Sequence, residues 1–374
     1  SLQEVSRMKI WIDGYEANSP DRVGVGRFAL ELLRGLYEEI SETDEVVVFV
    51  PNSTNEDLPP EKKNWHYRQV PHVRLWTFTS LPRALAKEKL DVFFSPTHYV
   101  PFFSSIPRVC AIMDLSYLEY PSLFRLKDLI KLKFGTWYSI QKAQKIITIS
   151  QFSKDAIVKE YGVDADTVTV IYPGFDQNIF NTKITQNDIK VSLDKFEINY
   201  DYILYIGTLQ PRKNIVRLIE SFSLLEDKSI KLLIIGKKGW LYEEIIKKIE
   251  ESDLKNRIVW IGYVEDRDLG ALLAGAQSFV LPSLYEGFGI PVVEALACGV
   301  PVVVSQVSSL PEIAGDAGLY IDPESTTSIS DGLTRALSLS ESEKDIIRQK
   351  GLKHIEQFDW KKSCKKLLEL LKSI

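Results

Sequence analysis

Twelve short runs of β-branched and other apolar residues recur along the chain, and a helical pattern follows almost every one. Near-continuous apolar strands that alternate with helices are typical of parallel sheets covered on both faces. Because twelve strands are too many for one ordinary sheet, they predict two doubly wound α/β domains. The predicted strands are 9–13, 45–50, 91–95, 109–113, 145–149 and 168–172 in the first half, and 202–206, 231–235, 257–261, 278–281, 301–304 and 318–321 in the second.

The length of 374 residues exceeds the usual size of a single core, which also favours two domains. Apolar periodicity lapses between 173 and 200, where Asn, Asp, Lys and Thr accumulate. We therefore predict an N-terminal domain over 8–175, a linker over 176–200 and a C-terminal domain over 201–359. The Lys- and Leu-rich stretch 360–374 predicts an amphipathic helix that either finishes the second domain or crosses back to the first.

The overall composition excludes several classes of protein. A hydrophobic content of 45% and a charged content of 26% are those of an ordinary globular chain. The net charge of −5 gives no reason to expect nucleic acid as a partner. No apolar run reaches the eighteen or so residues of a membrane helix, so we expect a cytoplasmic protein. The dispersed histidines have no metal-ligand spacing, and we predict neither a metal ion nor another cofactor.

A glycine-rich motif places two acids, Glu286 and Glu294, eight positions apart. A buried strand is predicted just before it. A helix over 292–298 is predicted just after it, with Pro291 suited to a first helical position and Gly299 to the far cap. Strand, glycine turn and helix start together predict an anion-binding corner, because the helix directs its N–H groups and dipole at one spot.

Gly287 and Gly289 would let a ligand lie against bare backbone at this corner. The two acids could accept hydrogen bonds from hydroxyl groups on either side of the bound anion. A ligand with a phosphate flanked by hydroxyls is a sugar nucleotide, which the motif therefore predicts. The alternative is that Glu286 is a surface acid and Glu294 a first-turn acid that suits the helix dipole.

Two adjacent cations, Arg212 and Lys213, follow a predicted strand that ends in Gly207. At the carboxyl end of a strand, where open α/β sheets bind ligands, they could neutralise a pyrophosphate. The alternative is a pair of solvated loop cations.

The segment 24–29 mimics a dinucleotide-binding fingerprint and precedes a predicted helix over 27–37. It begins ten residues beyond the first strand, and no acid for a ribose ends the second strand. Both departures argue against a nicotinamide-dependent dehydrogenase. A mobile glycine loop ahead of a helix still suits a phosphate.

Three further features allow two interpretations each. Asp114, predicted to end a strand, could orient a hydroxyl or cap the next turn. Asp266 and Asp268 resemble a metal-binding pair, although their place before an apolar run favours helix capping. The helix 124–138 interleaves basic and large apolar residues; it could lie on an anionic membrane or, more commonly, pack on the core.

Together these motifs resemble the retaining GT-B glycosyltransferases of glycosyltransferase family 4, particularly the branch of bacterial O-antigen mannosyltransferases. The resemblance runs over nearly the whole chain, and 282–294 is its most specific part. It implies two Rossmann-like domains that face a central cleft, with the C-terminal helix packed on the N-terminal domain. The motifs that carry it are 24–28, 113–116, 149–153, 172–175, 207–214, 262–264, 282–294, 295–301 and 308–312.

The resemblance also implies roles for individual residues. Arg212 and Lys213 would bind the donor diphosphate, Glu294 the ribose hydroxyls, and Gly26 the phosphates on closure. Contacts to the donor sugar and base would come from Glu286, Gly207, Gly287, Phe288, Gly289 and the backbone near Tyr263. Many relatives carry His-Asp where this chain has Met113-Asp114, so a histidine role cannot be carried over to that position.

The expected activity is transfer of a hexosyl unit from a nucleotide diphosphate sugar to a glycan or lipid-linked hydroxyl acceptor, with retention. GDP-mannose is the expected donor, and a UDP-sugar is the alternative. A same-face route, in which the leaving phosphate takes the acceptor proton, suits a chain without an evident nucleophile. A catalytically silent sugar-nucleotide-binding subunit is the other alternative. The expected location is the cytoplasm, with peripheral contact to the inner face of the membrane.

Overall fold

A computed structural model of the chain describes residues 7–20, 22, 24–71, 76–86, 89–102, 105–251, 254 and 256–374. The chain forms two compact units, one running up to Gly174 together with Asp359–Ile374, and the other spanning Phe175–Phe358. Each unit contains one parallel sheet accompanied by helices. The predicted pair of doubly wound α/β domains is confirmed.

The sheet of the first unit has the order β3-β2-β1-β4-β5-β6-β7, and every neighbouring pair is parallel. Its strands are β1 (Lys9–Asp13), β2 (Glu45–Val50), β3 (Trp65–Gln69), β4 (Val92–Ser95), β5 (Arg108–Ala111), β6 (Lys145–Thr148) and β7 (Val168–Val170). The helices of its first 174 residues are α1 (Gly24–Glu39), α2 (Trp76–Leu85), α3 (Ser116–Glu119), α4 (Leu126–Lys142) and α5 (Gln151–Tyr161).

Alternate residues of β1 show that both faces of this sheet are covered. Ile10 and Ile12 belong to the apolar cluster that includes α1, whereas Trp11 belongs to the cluster that includes α2. Since successive side chains of a strand point to opposite faces, a strand buried on both sides must be apolar throughout. This accounts for the continuous apolar run of the sequence.

Strand β3 is absent from the sequence-based prediction. It reads Trp-His-Tyr-Arg-Gln, lies at the edge of the sheet beside β2, and exposes its last two residues. An edge strand needs only one buried face and tolerates polar residues. Its composition therefore hides it from a search for continuous apolar runs.

The sheet of the second unit has the order β10-β9-β8-β11-β12-β13, again entirely parallel. Its strands are β8 (Tyr202–Ile206), β9 (Lys231–Ile235), β10 (Ile258–Gly262), β11 (Ser278–Leu281), β12 (Val302–Ser305) and β13 (Gly318–Ile321). Its helices are α6 (Gln186–Lys195), α7 (Ile215–Ser223), α8 (Glu243–Glu251), α9 (Asp266–Ala274), α10 (Ile290–Ala297), α11 (Leu310–Ala314), α12 (Thr326–Leu337) and α13 (Glu341–Ile355).

The stretch 176–200, which we predicted to link the domains, lies in the second unit and includes α6. Thr185 and Asp188 form a capping box at the start of this helix, and Ile189 is buried. Capping and one buried face stabilise a helix whose sequence is otherwise polar. The lapse in apolar periodicity thus marks a surface helix.

The last helix, α14 (Trp360–Lys372), belongs to the first unit and packs against α1. A Cβ atom on Gly35 of α1 would collide with the Sγ atom of Cys364, so the two helices are in close contact there. The rings of Phe28 and Trp360 lie 5.8 Å apart. Among the described residues, no helix is long and apolar enough to cross a membrane.

Candidate functional site

The candidate site of the second unit lies at the carboxyl edge of its sheet, where β8 and β11 are neighbours. Strand order reverses between these two strands, and open α/β sheets bind ligands at such a position. Residues 207–214 follow β8, and 282–289 follow β11. Asn214 Nδ2 donates a hydrogen bond to Pro282 O at 2.9 Å, which ties the two loops together.

The carboxylate of Glu286 binds both cations of the loop after β8. Lys213 Nζ lies 2.5 Å from Glu286 Oε1, and Arg212 Nη1 lies 3.2 Å from Oε2. Ser283 Oγ donates to Oε1 at 2.7 Å. The three charged side chains are only 7–15% exposed, so they are neither solvated loop cations nor a surface acid.

The pKa of Glu286 reflects two opposing effects. Burial raises it, whereas the charges of Lys213 and Arg212 and the hydrogen bonds from Lys213 and Ser283 lower it, and the outcome is about 2. Glu286 is therefore an anion at neutral pH. Two cations around one carboxylate leave the Arg212–Glu286–Lys213 cluster with a net positive charge, which favours an anionic ligand.

A short 3₁₀ turn, Pro211–Lys213, carries the two cations. Asn214 follows with a φ of 61°, a left-handed conformation that Asn tolerates better than most residues. Helix α7 begins at the next residue, so the positive end of its dipole lies beside the cations. Local backbone geometry thus adds to the positive character of the cluster.

Two serines from the loop after β12 hold the glycine-rich turn. Ser308 Oγ accepts a hydrogen bond from Glu286 N at 3.0 Å. Ser309 Oγ lies 2.9 Å from both Glu286 O and Phe288 O, to which it can donate. Ser308 has a φ of 57°, an uncommon conformation for a residue other than glycine. The protein itself therefore fixes the backbone of this turn.

Helix α10 starts two residues earlier than predicted. Gly289 is its N-cap with a φ of 104°, where a Cβ atom would lie 2.9 Å from Leu310 Cδ2. Pro291 is the second helical residue, and Gly299 follows the helix with a φ of 78°. Glycine is required at Gly289 because both the conformation and the neighbouring side chain exclude larger residues.

Glu294 is the fifth residue of α10 and is 6% exposed. It therefore lies beyond the first turn, contrary to the alternative that it is a first-turn acid. Phe288 is 3% exposed, and its ring lies 5.2 Å from that of Phe358. The Phe288 side chain therefore belongs to the core. The neighbouring Gly287 is also buried. A ligand at this turn would meet backbone.

Gly207 directly follows β8, and Tyr263 follows β10, which lies on the side of β8 away from β11. Gly207 N donates to Ile235 O at 2.9 Å, and a Cβ atom on Gly236 would collide with Gly207 O. Tyr263 comes directly after β10 and is 55% exposed, with Lys237 Nζ 4.7 Å from the centre of its ring. Both residues thus lie at the same edge of the sheet as the charged cluster.

In the first unit, Gly26 lies within the first turn of α1. The helix begins at Gly24, so the predicted mobile loop before a helix at Arg27 is wrong. Gly26 is buried, and a Cβ atom there would lie 3.0 Å from Glu16 O and 3.1 Å from Arg22 Cγ. The glycine allows close approach of the preceding loop; its contact with phosphates stays a prediction.

Asp114, also in the first unit, lies three residues beyond the end of β5 and not at its last position. Its Oδ1 atom accepts hydrogen bonds from N and Oγ of Ser116, at 3.0 and 2.7 Å. Ser116 is the first residue of α3, so Asp114 organises this turn. These contacts support the interpretation that Asp114 caps the next turn. Its orientation of an acceptor hydroxyl stays a prediction.

A histidine that the sequence did not single out lies beside Met113. His98 Nε2 accepts from Met113 N at 3.0 Å, and its Nδ1 lies 3.4 Å from Thr136 Oγ1. Because Nε2 accepts, the ring proton resides on Nδ1. Burial lowers the pKa of His98, an effect that Asp114 opposes, so the ring is neutral at neutral pH. His98 and Met113 follow β4 and β5, and only the pairing of these two strands shows that the residues are neighbours.

Within the described ranges, no group of three or more His, Cys, Asp or Glu residues is arranged to hold a metal ion. The pair Asp266 and Asp268 lies inside the first turn of α9, whose N-cap is Glu265. Asp268 accepts from Lys195 Nζ at 2.5 Å and Ser192 Oγ at 3.1 Å. Asp268 therefore links α9 to α6, and Glu265 rather than either aspartate occupies the N-cap position.

Two family models match the chain: Glycosyltransferase Family 4 over residues 23–178, and Glycosyl transferases group 1 over residues 188–352. The O-antigen chain mannosyltransferase B of Escherichia coli is 32% identical over 359 residues, which cover 90% of this chain and 92% of that protein.

Solved structures share the fold across both units. Sucrose-phosphate synthase from Thermosynechococcus elongatus matches with a TM-score of 0.78 and 16% identity, covering 98% of this chain and 99% of the other. Anabaena Alr3699/HepE in complex with UDP-glucose matches with a TM-score of 0.77 and 19% identity, covering 98% and 100%. The chain therefore belongs to glycosyltransferase family 4 and has the two-domain GT-B fold.

Proposed function

We propose that this glycosyltransferase moves a mannosyl unit from GDP-mannose to a hydroxyl group of a glycan or lipid-linked acceptor, with retention. The name of the Escherichia coli relative supports mannose. The observation that carries the donor class is the buried Arg212–Glu286–Lys213 cluster at the ligand-binding edge of the sheet. A UDP-sugar is the alternative donor, which the UDP-glucose complex of the Anabaena neighbour favours.

The cluster suits a diphosphate. Arg212 can direct its planar guanidinium at two phosphate oxygens, and Lys213 contributes a compact charge. Glu286 holds both cations, so little side-chain entropy remains to be lost when the diphosphate binds. Because two cations and the start of α7 supply the positive charge, we propose that no metal ion is required. Donor binding in the presence of a chelator should then be unchanged.

The remaining donor contacts in our proposal surround the same glycine-rich turn. Glu294, buried in α10, would accept hydrogen bonds from the ribose hydroxyls. The backbone of 287–289, braced by Ser309, would contact the sugar together with Glu286. The backbone near Tyr263 would border the base.

The chemical step that we propose breaks the bond between the anomeric carbon and the diphosphate oxygen. The acceptor oxygen forms the new bond on the same face, and its proton passes to the leaving phosphate oxygen. Negative charge develops on the diphosphate as this bond breaks. Arg212, Lys213 and the positive end of α7 would stabilise that charge, which is commonly the largest contribution to such catalysis.

Thermal unfolding with GDP, GDP-mannose, UDP and UDP-glucose tests the donor. A ligand at a hundred times its Kd stabilises the protein by about 2.7 kcal/mol, a clear shift in Tm. We expect the guanine nucleotides to raise the Tm most. If only the uracil nucleotides raise it, the donor is a UDP-sugar instead of GDP-mannose. If none raises it, the proposal that the cluster binds a nucleotide sugar is wrong. Donor binding without transfer or slow donor hydrolysis would identify a silent binding subunit.

A further inference from the structure

Helix α4 displays a continuous stripe of exposed apolar side chains. Leu126 is 71% exposed, Ile130 60%, Phe134 56% and Trp137 50%. Spacings of three and four residues place all four on one side of a helix. They are four of the ten large apolar side chains that are exposed among the described residues, and the other six are scattered along the sequence.

The opposite side of α4 anchors it in the first unit. Thr136, Ser139 and Ile140 are buried, and the partly buried Leu129 and Leu132 pack against the apolar cluster around α3 and α5. The helix therefore packs on the core and exposes a second apolar surface at the same time. Core packing does not account for the stripe from Leu126 to Trp137, which we call the α4 stripe.

Lysines flank the α4 stripe on both sides. At about 100° per residue, Lys133 lies about 20° to one side of Leu126, and Lys127 about 20° beyond Phe134 on the other. Lys131 and Lys142 extend the second flank, and all four lysines are exposed. Residues 125–142 contain five cations and one acid, whereas the whole chain has a net charge of −5. The positive charge is thus local to this surface.

We propose that the α4 stripe binds the surface of an anionic lipid bilayer. An exposed apolar stripe with lysines along both edges places its side chains among acyl chains and its charges among acidic headgroups. Trp137 is of the residue type that prefers the boundary between headgroup and hydrocarbon. A second copy of the chain fits less well, because a symmetric contact would bring lysine against lysine. This inference does not depend on the identity of the donor.

Co-sedimentation of the full chain with vesicles tests it. We expect binding to vesicles of phosphatidylglycerol and phosphatidylcholine, weakening with added salt, and much weaker binding to phosphatidylcholine alone. The double variant Phe134→Ser/Trp137→Ser should lower partitioning by about a hundredfold. The triple variant Lys127→Gln/Lys131→Gln/Lys133→Gln should lower it by about a hundredfold on the anionic vesicles only.

Leu224→Ser is the matched control, because Leu224 is another exposed apolar side chain, at 54%, that lies outside α4. It should bind vesicles as the unaltered protein does. The proposal is overturned if the wild-type protein does not bind anionic vesicles. It is also overturned if the α4 stripe variants bind them as well as the control does. A dimer in solution that the Phe134/Trp137 variant dissociates would overturn it as well. Nucleotide-induced stabilisation should be the same in every variant, so this proposal and the donor proposal fail separately.

Discussion

Replacement of Lys213 by alanine tests the charged cluster most directly. The change removes the Nζ atom that lies 2.5 Å from Glu286 Oε1 and, in our proposal, one contact to the leaving diphosphate. Loss of one electrostatic donor to developing charge costs about 2–4 kcal/mol. We therefore expect turnover to fall by about 30-fold to 1,000-fold.

The same change should also lower stability, because it leaves a buried carboxylate with less compensation. Removal of one partner from a buried ion pair costs about 3–5 kcal/mol. Arg212 and Ser283 still bind Glu286, so we expect a loss below about 3 kcal/mol. Lys213→Ala/Glu286→Gln also removes the carboxylate and leaves Arg212, which is 12% exposed, without its counter-ion. We expect this double variant to be no more stable than Lys213→Ala and to recover no turnover.

Donor turnover at saturating substrate and thermal unfolding would be measured for the wild type, Lys213→Ala, Glu286→Gln and the double variant. Lys248→Ala is the matched control: Lys248 pairs with Glu220 at 2.8 Å, but the two side chains are 39% and 42% exposed. Such a pair contributes about 0–1 kcal/mol, and its loss should leave turnover unchanged. Near-normal turnover of Lys213→Ala, or turnover of the double variant close to that of the wild type, would refute the catalytic role.

Three other predictions concern the same edge of the sheet. Glu294→Gln should raise the donor Kd about tenfold or more, because a hydrogen bond to a charged group is lost, and an unchanged Kd by calorimetry would rule out the ribose contact. Ser309→Ala should cost about 1–3 kcal/mol in thermal unfolding and raise the KM for donor, since the turn at Glu286 and Phe288 loses its brace; retention of both values would show that the brace is dispensable. The lowered pKa of Glu286, about 2, means that its contribution to stability is complete above about pH 4.5 and is lost as the pH falls towards 2. Glu286→Gln should therefore flatten the acid side of the stability profile, and an unaltered profile would contradict the ion pairing.

The parts of the site that depend on local sequence were predictable. Strand β11 has the predicted bounds, and the glycine turn and helix α10 follow it as expected. These elements are specified by neighbouring residues: apolar run, Gly289, Pro291 and Gly299. The helix starts two residues earlier and ends one residue earlier than predicted, since Gly289 is the N-cap and Cys298 the C-cap.

Contacts between distant segments were not predictable in the same way. The ion pair of Lys213 with Glu286 joins residues 73 positions apart. Sequence pattern placed each beside a strand end, but only the adjacency of β8 and β11 brings them together. His98 and Met113 likewise meet because β4 neighbours β5. Strand β3 escaped detection because an edge strand need not be apolar on both faces.

The return of α14 to the first unit has a consequence for biosynthesis. Cys364, Leu367 and Leu371 belong to the same apolar cluster as α1, yet the ribosome delivers them only after the entire second unit. A nascent chain therefore carries α1 with an uncovered apolar surface throughout synthesis of the second unit. Vectorial, domain-by-domain folding cannot finish the first unit early. Release of the chain before Trp360 would leave that surface available for aggregation, so premature termination anywhere in the second half should affect the folding of the first.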